Sequence, residues 1–455
     1  MVKDAHAVRA PAVSVEHHGI ERIPDDQRHG SPRSAFSLWF AGNLQYSALA
    51  VGAIPTAFLG LGFGEAVLSL AIGILIGSVL LGFAASMGPR AGVPQMIQSR
   101  IPFGYYGNFL PVLLLCLTGL GYFAVNTVLG AYIVRELFGL PFLVSLVAVA
   151  AVQIVIAIVG HDLVHQAERF LAIVASVLFV ILTWYGLAKG NLAASGDVLH
   201  RGAGGVAGGM LTTVALASTR TFGWCIGGSD YTRYLPRDTS RRRVLVAAFS
   251  GASLAGLWMA VVGAAIGTVI TVDSPTDLVA KLIPSGLAAV ILVALLAASI
   301  SGSVLDIYTA SLGLLMVGAR VRRWISAIII GVLGTAVGFV AGHNAGSVFG
   351  TFQNFLFLMG YWIGPWLGIV VVDTLVFGRR EPDPQRYFDR TRRFRPGLAA
   401  FVLAIAVSVP FMDQSLYTGA FAARFPQFGD LTPWVAGAAA ALAYYLIRRY
   451  RKADE

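Results

Sequence analysis

Charge is the scarcest resource in this chain. Only 12% of its 455 residues are Asp, Glu, Lys or Arg and its mean hydropathy is +0.74, against about 25% charged residues in an ordinary soluble domain. A water-facing surface of normal size cannot be assembled from so little charge, and a soluble fold is excluded. Cysteine is nearly absent as well. Cys116 and Cys225 both fall in apolar runs, which argues against a disulfide framework or a thiolate metal site. Residues 1–33 are polar and have no apolar core of the kind a secretory signal needs. This stretch is expected to be a cytosolic tail. No paired acids and no serine with a deep histidine lie within an apolar run, so an intramembrane enzyme has nothing to work with, and a channel is an equally remote reading.

Long apolar stretches are what the sequence has in abundance. Taken at about 20 residues per crossing, they give twelve spans, centred near residues 47, 77, 121, 150, 178, 220, 257, 301, 332, 364, 404 and 440. Lys and Arg concentrate in alternate connections, placing both termini in the cytosol of an inner or plasma membrane protein. The net charge of +10 collects in RYLPRDTSRRR (233–243), RVRR (320–323) and the 379–395 stretch. Topology accounts for that excess, and no nucleic-acid partner is implied. HDLVH (161–165) spaces two histidines as a metal pair would, but in a short connection without a third ligand. No metal site is expected there. GILIG (73–77) has the spacing of close helix packing.

Two spans are broken at mid-depth, the first at FAGNLQYS (40–47) and the sixth at STRTFGWCIGGSDYTRY (218–234). Unwound backbone at membrane depth survives only where it is buried in protein or lines a wet cavity. A matching pair of breaks in two halves of a chain points to a transporter's binding site. Spans 1–5 and 6–10 are then the two halves, inverted because five is odd. The expected fold is an all-α polytopic membrane protein with twelve transmembrane helices. It has a LeuT-like five-plus-five inverted repeat with helices 1 and 6 broken, plus two appended helices. Its expected divisions are residues 1–33 (tail), 34–188 and 189–378 (repeats), 379–396 (basic cytoplasmic loop), 397–448 (helices 11 and 12) and 449–455 (cytosolic C-terminal tail).

The polar residues at depth are few enough to weigh singly. Arg220 near the middle of span 6 costs at least about 2.5–3.5 kcal/mol to hold there, so it must face water or an acid. Asp306 in LLAASISGSVLDIYTASLGLL (295–315) lies at matching depth and is the expected partner, in a coupling pair or a purely structural one. On that span Ala298, Ser301, Gly302 and Leu305 share one stripe, and Ser299, Ser303 and Asp306 the next. In GLGYFAVN (119–126), Tyr122 and Asn126 stand one helical turn apart, an aromatic face beside an amide. The pair suits a flat, hydrogen-bonding ring, or simply glues helices together. Gln45 adds a second amide, and Phe222, Trp224 and Tyr231 add aromatics near the second break. Few charges among amides and aromatics favour a neutral heteroaromatic ligand. Arg220 facing a cavity would instead favour uric acid or xanthine.

These residues sit in an ordered set of motifs: EHHGIERIPDDQRHG (16–30), LGLGFG (59–64), MGPRAGVPQMIQSRIPFGYYGN (87–108), GYFAVNTVLGAY (121–132), GSDYTRYLP (228–236) and MGYWIGPWLGIVVVDTLVFGRR (359–380). Over nearly all of residues 16–445 the chain resembles the nucleobase:cation symporter-1 family, in its purine–cytosine permease (Fcy-type) branch. The resemblance implies cation-driven uptake of cytosine or a purine, with no cofactor beyond a coupling ion, H⁺ or Na⁺. Allantoin, hydantoin, pyridoxine and thiamine-like rings are the alternatives within the fold. It also implies roles for single residues. Ala41 and Leu44 would give carbonyls to the cation and Gln45 its amide to substrate, Tyr122 and Phe222 or Trp224 would stack on the ring, and Asn126 would hydrogen-bond it. Ala298 and Ser301 would complete the cation site. Sodium-coupled members carry two adjacent hydroxyls where this chain has Ser301 and Gly302, and Asp306 stands where an asparagine is expected. The missing oxygen and the added acid tilt the reading toward H⁺.

Overall fold

A computed structural model describes residues 19–159, 161–196, 202–270, 274–344, 348–378 and 383–451. The first apolar run is two helices, α1 (Pro32–Asn43) and α2 (Tyr46–Ala57). It is followed by α3 (Phe63–Ala91), α4 (Phe109–Phe138), α5 (Phe142–Val159) and α6 (His161–Lys189). The sixth run is again two pieces, α7 (Gly205–Phe222) and α8 (Gly228–Thr232). Then come α9 (Arg241–Gly267), α10 (Ser285–Met316), α11 (Arg323–Asn344), α12 (Val348–Val372), α13 (Pro396–Ser408) and α14 (Thr432–Arg451). Each of the twelve expected span centres falls within one of these helices. Six single helices among the described residues are long and apolar enough to cross a membrane by length and composition. A minimal hairpin, Asp413–Gln414 against Tyr417–Thr418, interrupts an otherwise helical chain. The side chains of His161 and His165 lie outside the described residues.

The packing carries the signature of a repeat that the sequence alone does not display. The halves α1 and α2 pack on α9, and α7 and α8 pack on α3; α4 packs on α11, and α10 on α5; α10 packs on α6, and α4 on α12. Exchanging the first five spans for the second five maps each of these contacts onto another. A pseudo-two-fold relation between the halves requires such an exchange, and with five crossings per half it inverts one against the other.

Two faces of α3 explain how such a helix is placed. Leu68, Ile72, Leu75 and Val79 are exposed along one stripe, the apolar face a lipid environment tolerates. On the opposite side Gly73 and Gly77 meet α7 with no side chain between. A Cβ added at Gly73 would lie 2.6 Å from the Val214 carbonyl oxygen, and one at Gly77 2.6 Å from Thr221 Cβ. GILIG is therefore a close-packing stretch, as expected from its spacing.

Residues 19–30 cross beneath the helix ends. Ile23 N donates to Gly92 O (2.9 Å), His29 N to Tyr234 O (2.6 Å) and Arg28 Nη1 to Pro89 O (2.5 Å). The fully buried Arg233 donates to Gly19 O (2.9 Å). The described part of the tail is thus tied to the ends of the third helix and of the second broken one.

Candidate functional site

The two breaks are built differently. α1 stops at Asn43 because Leu44 (φ −82°, ψ 66°) and Gln45 (φ −138°, ψ 162°) leave helical space. Leu44 N still donates to Ala41 O (3.0 Å) and Phe40 O (3.2 Å), and the Gln45 amide folds back onto the Gly42 carbonyl. In the second break the chain tightens instead. Gly223–Gly227 form a 3₁₀ turn between α7 and α8, helped by glycines that carry no side chain to collide in so narrow a winding.

The ring pair that meets across the site is Tyr122 with Trp224. Their planes are 4° apart and their centroids 6.2 Å. Phe222, the other expected stacking residue, turns the opposite way and packs edge-on against Trp434 at 6.3 Å. Of the two residues expected for the second stacking position, Trp224 is the one that lies parallel to Tyr122. Trp39 on α1, which the sequence reading did not single out, completes the aromatic wall. It lies 5.8 Å from Trp224 and 6.0 Å from Tyr231, with its indole N–H buried and unpartnered. No polar signal marks Trp39, since it sits inside the regular part of α1 before the break begins. The cavity these rings enclose, which Asp306 and Thr118 also line, measures about 20 Å³, room for roughly one water-sized group. The site is closed around its centre.

Asp306 reaches this cavity and accepts a hydrogen bond from Asn126 Nδ2 at 3.3 Å. Ser299 Oγ donates to the Asn126 carbonyl at 3.4 Å, bracing the same turn of α4. Tyr122 Oη, on a residue that lines the cavity, and Asn126 Oδ1, on the turn that holds Asp306, are buried without a hydrogen-bond partner. Buried polar groups in this condition are costly.

Arg220 does not form the expected ion pair with Asp306. It donates through Nη1 to Asn43 Oδ1 (3.0 Å) and through Nη2 to Ser47 Oγ (3.3 Å), and Asp306 acts on it only through space. The guanidinium is turned toward the first break. It binds the last residue of α1 to the first turn of α2, and it is not among the residues lining the aromatic cavity. A cation beside the C-terminal end of α1 also complements that half-helix's dipole.

Of the candidate cation ligands, Ala41, Leu44, Ala298 and Ser301 are all buried, the first two at the break and the others on the stretch of α10 that packs near it. The break and α10 meet at Gly302 and Leu305. A Cβ at Gly302 would fall 2.5 Å from Gln45 Oε1, and one at Gly42 3.2 Å from Leu305 Cδ1. The space that a second hydroxyl side chain would need at position 302 is therefore held by the Gln45 amide.

Comparison with known proteins agrees with this geometry. The family described as permease for cytosine/purines, uracil, thiamine, allantoin matches residues 22–435. The chain is 30% identical to YxlA of Bacillus subtilis (strain 168), provisionally assigned as a purine-cytosine permease, over 96% of this chain and 97% of the relative. It is 25% identical to the purine-cytosine permease fcyB of Emericella nidulans, over 97% and 90% of the two chains. Among solved structures, its fold matches Mhp1, a nucleobase-cation-symport-1 family transporter, in a closed conformation with bromovinylhydantoin bound. That match has a TM-score of 0.77 at 20% identity and covers 96% of each chain. The inward-facing conformation of Mhp1 matches at a TM-score of 0.69 and 18% identity, over 99% of this chain and 96% of that one.

Proposed function

The chain belongs to the family of permeases for cytosine and purines, uracil, thiamine and allantoin, and from that membership we propose that it imports an amino-bearing nucleobase, cytosine or adenine, by proton symport through alternating access. The observation that carries this reading is the parallel Tyr122–Trp224 pair at a cavity that Asp306 lines, with Asn126 hydrogen-bonded to that carboxylate. A planar ring stacked on both faces needs about 3.5 Å on either side, so plates 6.2 Å apart must part by roughly 1 Å to admit it. Trp224 stands in the 3₁₀ turn rather than in an α-helix, so it moves without breaking a regular helix ladder.

The rim selects the ring by its edge. Cytosine and adenine each offer an exocyclic amino donor beside a ring-nitrogen acceptor. Asn126 Oδ1, unpartnered in the structure, accepts from the amino group, and a protonated Asp306 donates to the ring nitrogen. An ionised Asp306 has no proton to give. Base and proton therefore bind as one event, and the free-energy coupling needed for symport follows from that linkage. Oxo-rich anions such as uric acid and xanthine are disfavoured, because Arg220 is not among the residues lining the aromatic cavity; its terminal nitrogens donate to Asn43 and Ser47, and its Nε is buried without a partner. Sodium is disfavoured by Gly302, whose missing hydroxyl is not replaced and whose space Gln45 holds.

In this reading residues 1–33 and 449–455 are cytosolic in the inner or plasma membrane, and 34–188 and 189–378 are the two inverted halves with the site between them. The test is uptake of radiolabelled cytosine and adenine into proteoliposomes under an imposed pH gradient, acid outside, or an imposed Na⁺ gradient. Accumulation is expected under the pH gradient alone. Accumulation driven by Na⁺ at equal pH overturns proton coupling, and a site that ignores amino-bearing bases while accumulating hydantoin or allantoin overturns the substrate assignment.

A further inference from the structure

Away from the transport site, arginines from well-separated stretches of the chain converge on one cavity of about 450 Å³. Arg22 comes from the tail segment, Arg90 from the end of α3, Arg237 and Arg241 from the entry to α9, Arg386 from the turn after α12, and Arg448 from α14. Asp373 is the single acid among the described residues lining it. That carboxylate is occupied, accepting from Tyr444 Oη at 2.6 Å and from Arg448. Asp25 and Asp238 border Arg90 and Arg237 in the adjoining cavity, leaving cationic charge in excess over the whole region. The Arg22 side chain donates to Asp25 but keeps its Nε buried with no acceptor.

Like charges drawn together from separate elements repel one another, and a basic stretch that served topology alone would spread into solvent. Here the guanidiniums face a shared space whose remaining wall is partly apolar, with Met87, Val370 and Phe377. Just beyond that wall Leu375 and Val376 are exposed at 68% and 44%, an apolar flank beside a cationic cup. Guanidinium forks match the paired oxygens of a phosphate, as they do those of a carboxylate, and several forks together suit the phosphate's further acceptor oxygens.

We propose that this cup is a binding site for a phosphate group, supplied by the headgroup of an anionic phospholipid, whose acyl chains would lie along the Leu375–Val376 flank. Basic pockets between helix ends on the cytoplasmic side are suited to such headgroups, and this one joins α3 and the entry of α9 to the ends of α12 and α14. A bound phosphate would clamp these two groups together.

The experiment compares the full-length purified protein with the double variants Arg241→Ala/Arg386→Ala and Arg241→Lys/Arg386→Lys. Phospholipid retained after purification is counted by native mass spectrometry, and thermal unfolding is followed with added phosphatidylglycerol, phosphatidylcholine or inorganic phosphate. The wild type is expected to retain phosphatidylglycerol and to melt a few degrees higher with it, but not with phosphatidylcholine. The alanine pair should lose both effects, and the lysine pair, which keeps the charge without the guanidinium fork, should keep part of them. Stabilisation by phosphatidylglycerol without inorganic phosphate identifies the lipid as the source. Equal stabilisation by inorganic phosphate replaces it with a soluble phosphoanion at the same site and overturns the lipid assignment. A wild type indifferent to all three additions overturns the site. So does an alanine pair that retains and responds to phosphatidylglycerol as the wild type does or, should that pair not fold, a lysine pair that retains none.

Discussion

The two broken helices occupy equivalent places in the inverted halves, yet one break is polar and extended and the other is aromatic and tightly wound. At Asn43–Gln45 the chain opens out and turns its amides and carbonyls toward α10 and Arg220. At Gly223–Gly227 it winds closer than an α-helix and presents Trp224 to Tyr122. The two breaks present different groups, Asn43 as a partner of the Arg220 cation at one and the Trp224 ring at the other. Arg220 is where they join, since it leaves α7 two residues before the second break and ends on both sides of the first.

The sharpest way to break this division of labour is at Asp306, which faces the rings but belongs to neither break. Asp306→Asn keeps a donor and an acceptor while removing the titrating proton. We expect it to bind and exchange cytosine but to lose pH-driven accumulation altogether, measured as the ratio of internal to external label at steady state. Retained accumulation would return the coupling role to the first break. Next in size is Trp224→Ala. Stacking of a base on an aromatic side chain contributes about 1–3 kcal/mol, so affinity for cytosine should fall by roughly 5- to 150-fold in a binding assay. Phe222→Ala, acting through Trp434, should lower the melting temperature and leave affinity nearly untouched. Equal losses of affinity from the two would end the distinction between them.

Arg220→Lys tests the joint. A single ammonium cannot reproduce the fork that reaches Asn43 and Ser47 together, and one charged hydrogen bond contributes about 1.5–3 kcal/mol. A drop in thermal stability with preserved selectivity for amino-bearing bases is expected, and a switch toward xanthine would show that Arg220 reads the substrate after all. The smallest effect should come from Gly302→Ala. The atom it meets is the far end of the flexible Gln45 side chain, so a shift of the amide and a loss of uptake of a few-fold suffice. A large loss would mean that Gln45 is held rigidly as part of the binding surface.

Hydropathy and two interruptions were enough to read the architecture from the sequence, because bilayer thickness fixes span length and unsatisfied backbone fixes where a span can break. Tyr122, Asn126, Asp306 and Gln45 were legible for the same reason, as amides, an acid and a ring stranded at depth. The azimuth of a side chain was not. Phe222 and Trp224 stay alternatives in the sequence, because which of them turns toward Tyr122 depends on the Gly223–Gly227 turn, a 3₁₀ winding of about 120° per residue instead of 100°. Matching depth likewise paired Arg220 with Asp306, whereas its direction is set by Asn43 and Ser47 across a helix interface that no single-sequence pattern reports. Trp39 left no trace because an indole in an apolar run looks like core.

The glycine contact between α3 and α7 has a mechanical corollary. With Gly73 and Gly77 pressed on the opposing backbone and side chain, neither helix has room to slide or roll against the other. The two behave as one plank, and the molecule sheds degrees of freedom it would otherwise spend on internal slack. Whatever displacement opens the ring pair must then be taken up at the short unwound turns, as bending in a pair of scissors is confined to the rivet.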